Sequence, residues 1–290
     1  MKLIRNLIIT VVVIVAILGV VIIGGYVYVR TTYGIDLFRT AEQLKILTEN
    51  VDEASLCPNA YGEEDFAVTK TELNKKFDGF VSYEEGKGYN GYSVNFDSLE
   101  GKSMSGMVSL TEKQTGVIAQ TIFYGQTGGK IKLGDKEVSV TAVQVDFSEI
   151  AENGSADFNV VAKLDLTPFK ADMGGFPYKY FKKYIPDNLY VSSTVRVDKT
   201  EEDGFAYTVT HKSLTLNNLS ADDTADLFNT LNAVLKIGTA ENLNMQIGTT
   251  AVNALIGTKD AIGFAYSMKA IGAKSFDFGT VSDIDLFIVY

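Results

Sequence analysis

The chain has 290 residues, a formal net charge of −10, one cysteine, one histidine and no tryptophan. This acidic excess disfavours nucleic acid as a partner, because the phosphate backbone requires positive charge on the protein. A single cysteine, Cys57, excludes an internal disulfide. We therefore expect Cys57 to be a small buried residue and the fold to depend on an apolar core.

An apolar segment opens the chain, with no charged residue in 24 consecutive positions from Asn6 to Val29. A helix of that length, rising ~1.5 Å per residue, crosses a hydrocarbon core of about 30 Å. We predict an uncleaved membrane anchor over residues 7–29. The alternative is a cleaved signal, although the apolar region of a signal usually has only ~7–15 residues and ends at an A-x-A-like site.

The charges around this segment predict its orientation. Lys2 and Arg5 precede it and only Arg30 follows it, so the positive-inside tendency leaves the N-terminus in the cytoplasm. The rest of a single-pass protein of the cell membrane would then be extracytoplasmic. We divide the chain into a tail and anchor (1–30), an amphipathic helix with an acidic connector (31–66) and an extracytoplasmic domain (67–290).

Four helices are predicted after the anchor besides the short one at 177–184 that is described below. Apolar residues at helical spacing indicate an amphipathic helix from about Asp36 to Val51, with Phe38 in its apolar stripe, which either packs on the domain or lies at the membrane surface. Capping-box patterns, with a hydroxyl residue three positions before an acid or amide, predict three further helix starts. These patterns begin at Thr69, Thr111 and Ser220.

The period of the apolar residues then changes to two, which is typical of half-buried strands in an antiparallel sheet. The stretches concerned are 131–147, 157–166, 189–197, 205–216 and 282–290. The first contains a Gly134–Asp135 turn and a predicted bulge near Ala142 and Val143. The tripeptide IGT recurs at 237, 247 and 256, and we interpret it as chance or turn chemistry. The predicted class is α+β, a transmembrane helix followed by a curved, mainly antiparallel sheet with several short helices.

The residue types that usually carry out catalysis form no recognisable catalytic motif in this sequence. His211 is the only histidine, so no pair of histidines can bind a metal, and we interpret it as a structural residue on a strand. No G-x-S-x-G or phosphate-binding glycine loop occurs, and no carboxylate pair stands out. We predict no catalytic residue, no metal and no cofactor. An enzyme of a class that uses neither histidine nor cysteine is a third, less favoured possibility.

The stretch GGFPYKYFKKYIPDNLYV concentrates aromatic residues and lysines at 174–191. Pro177 suits a helix start and Pro186 disfavours helical angles at the residue before it, which predicts a short helix from Pro177 to Tyr184. At about 100° per residue, most rings and the lysines lie on different faces. This separation argues against nucleic-acid binding, which requires rings and cations on one face. The aromatic face would either pack on the end of the sheet or close an apolar cavity.

The order of elements resembles that of a known family. An N-terminal anchor, the motif T-x-x-E-L-N at Thr69–Asn74, a run of strands, and the short helix followed directly by a strand are similar to the YpmS-like membrane-anchored proteins of Gram-positive bacteria. More distantly, the arrangement resembles the AsmA and tubular lipid-binding domains. The chain is longer than YpmS-like proteins at its C-terminal end. The resemblance implies an extracytoplasmic domain with an apolar groove that handles lipid.

These observations lead to a non-catalytic, membrane-anchored protein that binds a lipid or another apolar ligand in a groove of the curved sheet. The strand residues expected to line the groove are Val160, Ala162, Leu164 and Val191. The aromatic residues expected to close it are Phe176, Tyr180, Phe181 and Tyr184. The alternative is a membrane-tethered interaction module with a closed core that meets another envelope protein. A cavity of about 300 Å³ or more would favour the first hypothesis.

Overall fold

The computed structural model describes residues 36–133, 136–171, 183, 185–200, 203–235 and 239–290. The predicted anchor, the Gly134–Asp135 turn and the predicted helix at 177–184, apart from Lys183, lie outside these residues. No helix within the described residues is long and apolar enough to cross a membrane.

The first helix, α1, runs over Leu37–Thr48, close to its predicted bounds. Asp36 caps it, because its carboxylate accepts hydrogen bonds from the backbone N–H groups of Phe38 and Arg39. A side of α1 packs against the later helix that begins after Ser220. Most of the predicted apolar stripe of α1 therefore packs on the domain. The prediction is wrong for Phe38, whose side chain is 74 % exposed.

The predicted connector at 52–66 contains a short helix, α2 (Glu53–Leu56), and the start of α3 (Glu63–Lys76). The predicted helix start at Thr69 is therefore wrong. Acidic residues occupy the first turn of α3, where negative charge stabilises the free N–H groups, and the Asp65 carboxylate accepts from the Gly62 N–H at 2.8 Å. Thr69 lies inside α3 and its hydroxyl donates to the Asp65 carbonyl instead.

The other two predicted helix starts are confirmed. Thr111 and Gln114 form a complete capping box at the start of α4 (Glu112–Thr127). The Asp223 N–H donates to Ser220 Oγ at 3.0 Å at the start of a later helix, Ala221–Leu235. Local hydrogen bonds between a side chain and the backbone thus begin both helices as their sequences predict.

Three antiparallel sheets accompany the helices in the described part of the chain, so the prediction of an α+β class is confirmed. A hairpin pairs β1 (Val81–Tyr83) with β2 (Tyr92–Val94). A five-stranded sheet has the order β4-β5-β6-β7-β8. Its strands are β4 (Lys130–Leu133), β5 (Lys136–Ser148), β6 (Ala156–Asp165), β7 (Asn188–Lys199) and β8 (Tyr207–Leu216). A short helix, α5 (Thr167–Ala171), follows β6.

The predicted bulge is confirmed, because the pairing of β5 with β6 shifts register between Ala142 and Gln144. Val143 is the extra residue. It changes which residues of β5 face the helices, from even-numbered positions before it to odd-numbered positions after it. Val140 and Ala142 therefore share a face with Val145 and Phe147.

The C-terminal strand does not join the large sheet. A separate three-stranded sheet has the order β3-β10-β9, and the 282–290 stretch contributes its central strand. Its strands are β3 (Val108–Thr111), β9 (Phe276–Val281) and β10 (Ile284–Val289). Because no local signal specifies which distant strands pair, the sequence pattern predicted the strand without predicting its sheet.

In the described residues after α6 (Ala221–Leu235) lie α7 (Ala240–Leu255) and the short α8 (Phe264–Ser267), which continues into a 3-10 turn at Met268–Ile271. The interpretation of the IGT repeats as chance or turn chemistry missed α7, because Ile247 lies within it. The repeat at 256 does form a turn after α7, with Gly257 at a φ of 82°, and the repeat at 237 begins outside the described residues. This helix packs on β7 and β8 beside α4. Gly248 allows the close approach, since a Cβ there would lie 2.3 Å from Val195 Cγ1.

Candidate functional site

An apolar cavity of about 80 Å³ lies between one face of the five-stranded sheet and the helices α4 and α7. The sheet contributes Val140, Ala142, Val160, Ala162, Leu164 and Val191, and the helices contribute Ala119, Phe123, Ile247, Thr250, Ala251 and Ala254. Among these lining residues Thr250 alone has a polar side chain. The cavity therefore offers hydrophobic contact and almost no hydrogen bonding.

Strand register brings the sheet residues together. Ala142 pairs with Ala162, Ala162 pairs with Val191, and Val140 pairs with Leu164. Because alternate residues of a strand point to the same face, Val160 joins them. The space exists because the central positions carry alanine, whose side chain stops at Cβ.

The helices supply the rest of the wall from one face each. Ala119 and Phe123 are four residues apart on α4, and Ile247, Ala251 and Ala254 recur at helical spacing on α7. Val160, Leu164, Val191 and Ala254 are buried, whereas Thr250 is exposed and Phe123 and Ile247 are half-buried. The cavity thus has a buried inner end and a mouth near Thr250.

The structure brings together the four strand residues predicted to line a groove, Val160, Ala162, Leu164 and Val191. Their role in binding a ligand stays a prediction. The four aromatic residues predicted to close the groove, Phe176, Tyr180, Phe181 and Tyr184, lie outside the described residues.

Sequence reasoning missed the six helical residues of the wall. Ala119 and Phe123 lie in a helix that was predicted but not connected with the groove. The α7 residues lie in a helix that was not predicted at all. Two signals could have found α7: the Thr239–Asn242 capping box, which the structure contains, and the spacing of Leu243, Ile247 and Ala251.

The size of the cavity limits what can enter it. At about 80 Å³ it falls below the volume of about 300 Å³ at which ligand pockets begin. An apolar cavity of about 150 Å³ is known to hold benzene. The described space therefore suits a narrow apolar group, such as the end of an unbranched chain, better than a ring.

The opposite face of the sheet is polar and carries an ion pair. Lys163 Nζ lies 2.8 Å from a Glu53 carboxylate oxygen, and the Tyr190 hydroxyl donates to the same oxygen. The hydrogen bond from Lys163, followed by that from Tyr190, lowers the pKa of Glu53. Glu53 and Lys163 line a polar groove of about 480 Å³ between α2, α3 and the sheet.

Cys57 lies beside this ion pair and is 3 % exposed, as predicted. Burial raises the pKa of its thiol to about 11, and the charge of Glu53 adds to that effect. At neutral pH the side chain is therefore a protonated thiol that packs against Val161 and Tyr190.

A group of carboxylates lies where β5 meets α4 and β10. Amide groups of Asn59 and Asn159 donate to Asp146, and the Phe147 N–H donates to Glu112 at 2.9 Å. Burial, then the charge of Asp146, raises the pKa of Asp285, and burial also raises that of Glu112. Nowhere in the described residues do three or more acidic, histidine or cysteine side chains form a group that could hold a metal ion.

His211 belongs to a polar network that joins β7, β8 and α7. Its Nδ1 lies 2.7 Å from Asn244 Nδ2, which also donates to the Thr194 carbonyl at 2.8 Å. The Ser193 hydroxyl donates to Asn244 Oδ1 at 2.6 Å. Because an amide nitrogen only donates, His211 Nδ1 accepts in this arrangement and the ring proton resides on Nε2.

Comparison of the chain with protein-family models, with curated proteins and with solved structures gives no significant match.

Proposed function

We propose that this is a membrane-anchored extracytoplasmic protein that binds a lipid or another apolar ligand, with an unbranched apolar end of the ligand in the cavity between the sheet and the helices α4 and α7. The observation that carries the proposal is the wall of the cavity, in which five alanines on four elements leave apolar space open toward Thr250. Binding of this kind requires no catalytic residue and no cofactor. The anchor would be residues 7–29, and the resemblance to YpmS-like proteins remains part of the proposal.

Magnitudes indicate how such a ligand would bind. Each buried methylene contributes about 0.8 kcal/mol, so three contribute about 2.4 kcal/mol. Millimolar affinity already requires about 4.1 kcal/mol. A ligand held only by the inner cavity would therefore bind weakly. We expect the rest of the ligand to contact the mouth, where Phe123, Ile247 and Thr250 are accessible.

Native mass spectrometry of the full chain, purified from its host in detergent, tests the proposal. We expect a co-purifying mass of lipid size on the wild-type protein. Ala162→Leu fills the cavity and should remove that mass. Ala67→Leu, on the exposed side of α3, makes the same chemical change away from the cavity and should retain it. Repeated absence of any bound mass on the wild-type protein would count against the proposal.

A second candidate is the membrane-tethered interaction module. It is favoured by the small volume of the cavity and by the larger polar groove beside Glu53 and Lys163. In that case Ala162→Leu would leave complex formation with an envelope protein unchanged. Thr141→Arg, which places a long side chain in the groove, would disrupt the complex. Chemical cross-linking in the host, compared between these two variants, separates the two functions.

A further inference from the structure

The three-stranded sheet has one face in the core and one face that is accessible to solvent. On the central strand β10, Phe287 and Val289 are fully buried in the core. Because alternate residues of a strand point to opposite faces, Ile284, Leu286 and Ile288 lie on the other face. Ile284 is exposed, and Leu286 and Ile288 are half-buried. We call this second face the outer face.

The rest of the sheet extends the outer face with further apolar side chains. Val281 of β9 lies opposite Ile284 beside the hairpin turn, at the end that we call the tip. Met107 directly precedes β3 and Tyr290 directly follows β10, so the same alternation places both at the other end, the base. The Tyr290 hydroxyl donates to Asp277 on this face at 2.9 Å. The four apolar side chains are 46–58 % exposed.

The centre of the outer face carries no charge. Thr111 and Gly279 are the neighbours of Leu286 on the two adjacent strands. Asp277, near the base, is the charged residue that the three strands place on this face, and Lys199 Nζ pairs with it at 2.8 Å. Burying a charge against apolar side chains is costly, so this centre favours a partner surface that is equally apolar.

Opposite charges lie at the two ends of the outer face. At the tip, Asp283 is exposed in the β9–β10 turn and forms no ion pair with any described residue. At the base, Lys76 of α3 donates from Nζ to the Met107 carbonyl at 2.8 Å and also forms no ion pair within the described part of the chain. A surface with an apolar centre and opposite charges at its ends is complementary to itself when turned end to end.

From these features we infer that the outer face binds a second copy of this chain, with the two β10 strands antiparallel across a twofold axis. A twofold contact uses the same patch on both copies, so the apolar centre meets itself and Asp283 of each copy approaches Lys76 of the other. The inference goes beyond the proposed function, since it uses neither the anchor nor the cavity.

The exposed area sets the strength of such a dimer. About half of the surface of four large side chains, with smaller parts of Leu286 and Ile288, amounts to roughly 500 Å² per copy, within the usual size of a functional apolar patch. Two copies then bury roughly 1,000 Å² in total, which is about the least that a specific interface requires. We expect a dimer that dissociates at micromolar concentrations.

Sedimentation velocity of the full chain in detergent, over a range of protein concentrations, tests the apolar centre. Ile284→Glu places a charge in the contact and should weaken the dimer by at least about tenfold. Because Ile284 is exposed in the single chain, this substitution should leave the fold intact. Ile262→Glu makes the same chemical change at an exposed isoleucine away from the outer face and should leave the dimer unchanged.

Exchange of the end charges tests the antiparallel orientation by the same measurement. Asp283→Lys and Lys76→Asp each bring like charges together at both ends of the contact and should each weaken the dimer by about tenfold. The double variant carries the opposite charges in exchanged order and should recover the wild-type Kd to within about threefold. A purely structural role of either residue does not predict this recovery.

Three results would overturn the inference. A wild-type chain that stays monomeric up to about 200 µM leaves the outer face without a second copy. A dimer that Ile284→Glu does not weaken uses another surface, such as the proposed anchor. A large loss of stability of the Ile284→Glu monomer in denaturant titration would show that a segment of the same chain covers the outer face. Ligand binding in the cavity is measured separately in each case.

Discussion

Strands β5 and β6 direct side chains toward the helices at both of their ends. At one end these side chains are large and aromatic, and at the other they are small and leave a cavity. At one end Phe147 and Phe158 lie with ring centroids 5.7 Å apart, and Phe147 approaches Phe278 of the three-stranded sheet at 4.9 Å. At the other end Ala142 pairs with Ala162 and a cavity of about 80 Å³ remains. We call these the aromatic end and the alanine end.

We associate the aromatic end with the stability of the fold and the alanine end with the proposed ligand binding. Aromatic side chains bury large areas, and at their end they join the two sheets in one buried cluster. At the alanine end, a space of about 80 Å³ would cost up to about 2 kcal/mol at ~24 cal/mol per Å³ if it were closed, and its mouth near Thr250 makes the cost smaller. A site that forgoes this stability is expected where a ligand fills the space.

The largest expected effect is at the aromatic end. Phe158→Ala should lower the free energy of unfolding by about 3–5 kcal/mol, because it removes a fully buried ring that packs on Phe147. Denaturant titration of the full chain, followed by circular dichroism, measures the change. Phe38→Ala, at an exposed position, serves as the control and should change stability by less than about 0.5 kcal/mol. Equal effects of the two substitutions would contradict the assignment of the core.

The second effect concerns the helix that covers both ends. Gly248→Ala should destabilise by about 1–3 kcal/mol, because the new Cβ would meet Val195 and push α7 away from β7. Gly125→Ala, where a Cβ in α4 would meet nothing within 4 Å, is the matched control. It should stabilise by about 0.5–1 kcal/mol through helix propensity. The same denaturant titration should therefore give opposite signs, and matching signs would contradict the packing of α7.

A smaller effect is expected at the alanine end. Ala162→Val adds two methyl groups toward open space in a strand, where valine is favoured, so stability should change by no more than about 1 kcal/mol. Melting temperature and denaturant midpoint, compared with wild type, check this. Overpacking at a filled position would cost about 1–3 kcal/mol. A loss of that size would show that the alanine end is as closely packed as the aromatic end.

The smallest effect depends on pH. Because burial and Asp146 raise the pKa of Asp285, the folded state disfavours its charged form, and stability should fall as pH rises through that pKa. Asp285→Asn should thus stabilise the protein at pH 7 by a few tenths of a kcal/mol after allowance for solvent screening, with the gain lost near pH 4. Asp283→Asn removes the same charge from the adjacent turn and is the control. Denaturant titrations at both pH values measure the difference.

The sequence predicted features that are encoded locally. The capping box at Thr111, the hydroxyl cap at Ser220 and the bulge near Val143 depend on residues a few positions apart, and all three are present. The four predicted strand residues of the cavity followed from the same local alternation. These signals indicate which face of an element is apolar, and an apolar face must pack against something.

Features that depend on distant contacts were not predicted. Helix α7 contains Gly248 and several β-branched residues, which lower intrinsic helix propensity, and its packing on Val195 compensates. The role of α7 in the cavity and the pairing of β10 with β3 both depend on residues far apart in the chain. The wrong helix start at Thr69 has a different cause. The T-x-x-E pattern is present there, but α3 already begins six residues earlier, at the acidic residues that follow Gly62.

The extra residue in β5 has a consequence for how the two ends can change. Even-numbered residues face inward before Val143 and odd-numbered residues face inward after it, so the strand contains two independent alternating patterns. Removing that one residue would merge the patterns, and either the cavity wall or Phe147 would have to turn outward. The single inserted residue therefore lets one continuous strand contribute to an aromatic core and to the wall of a cavity at once.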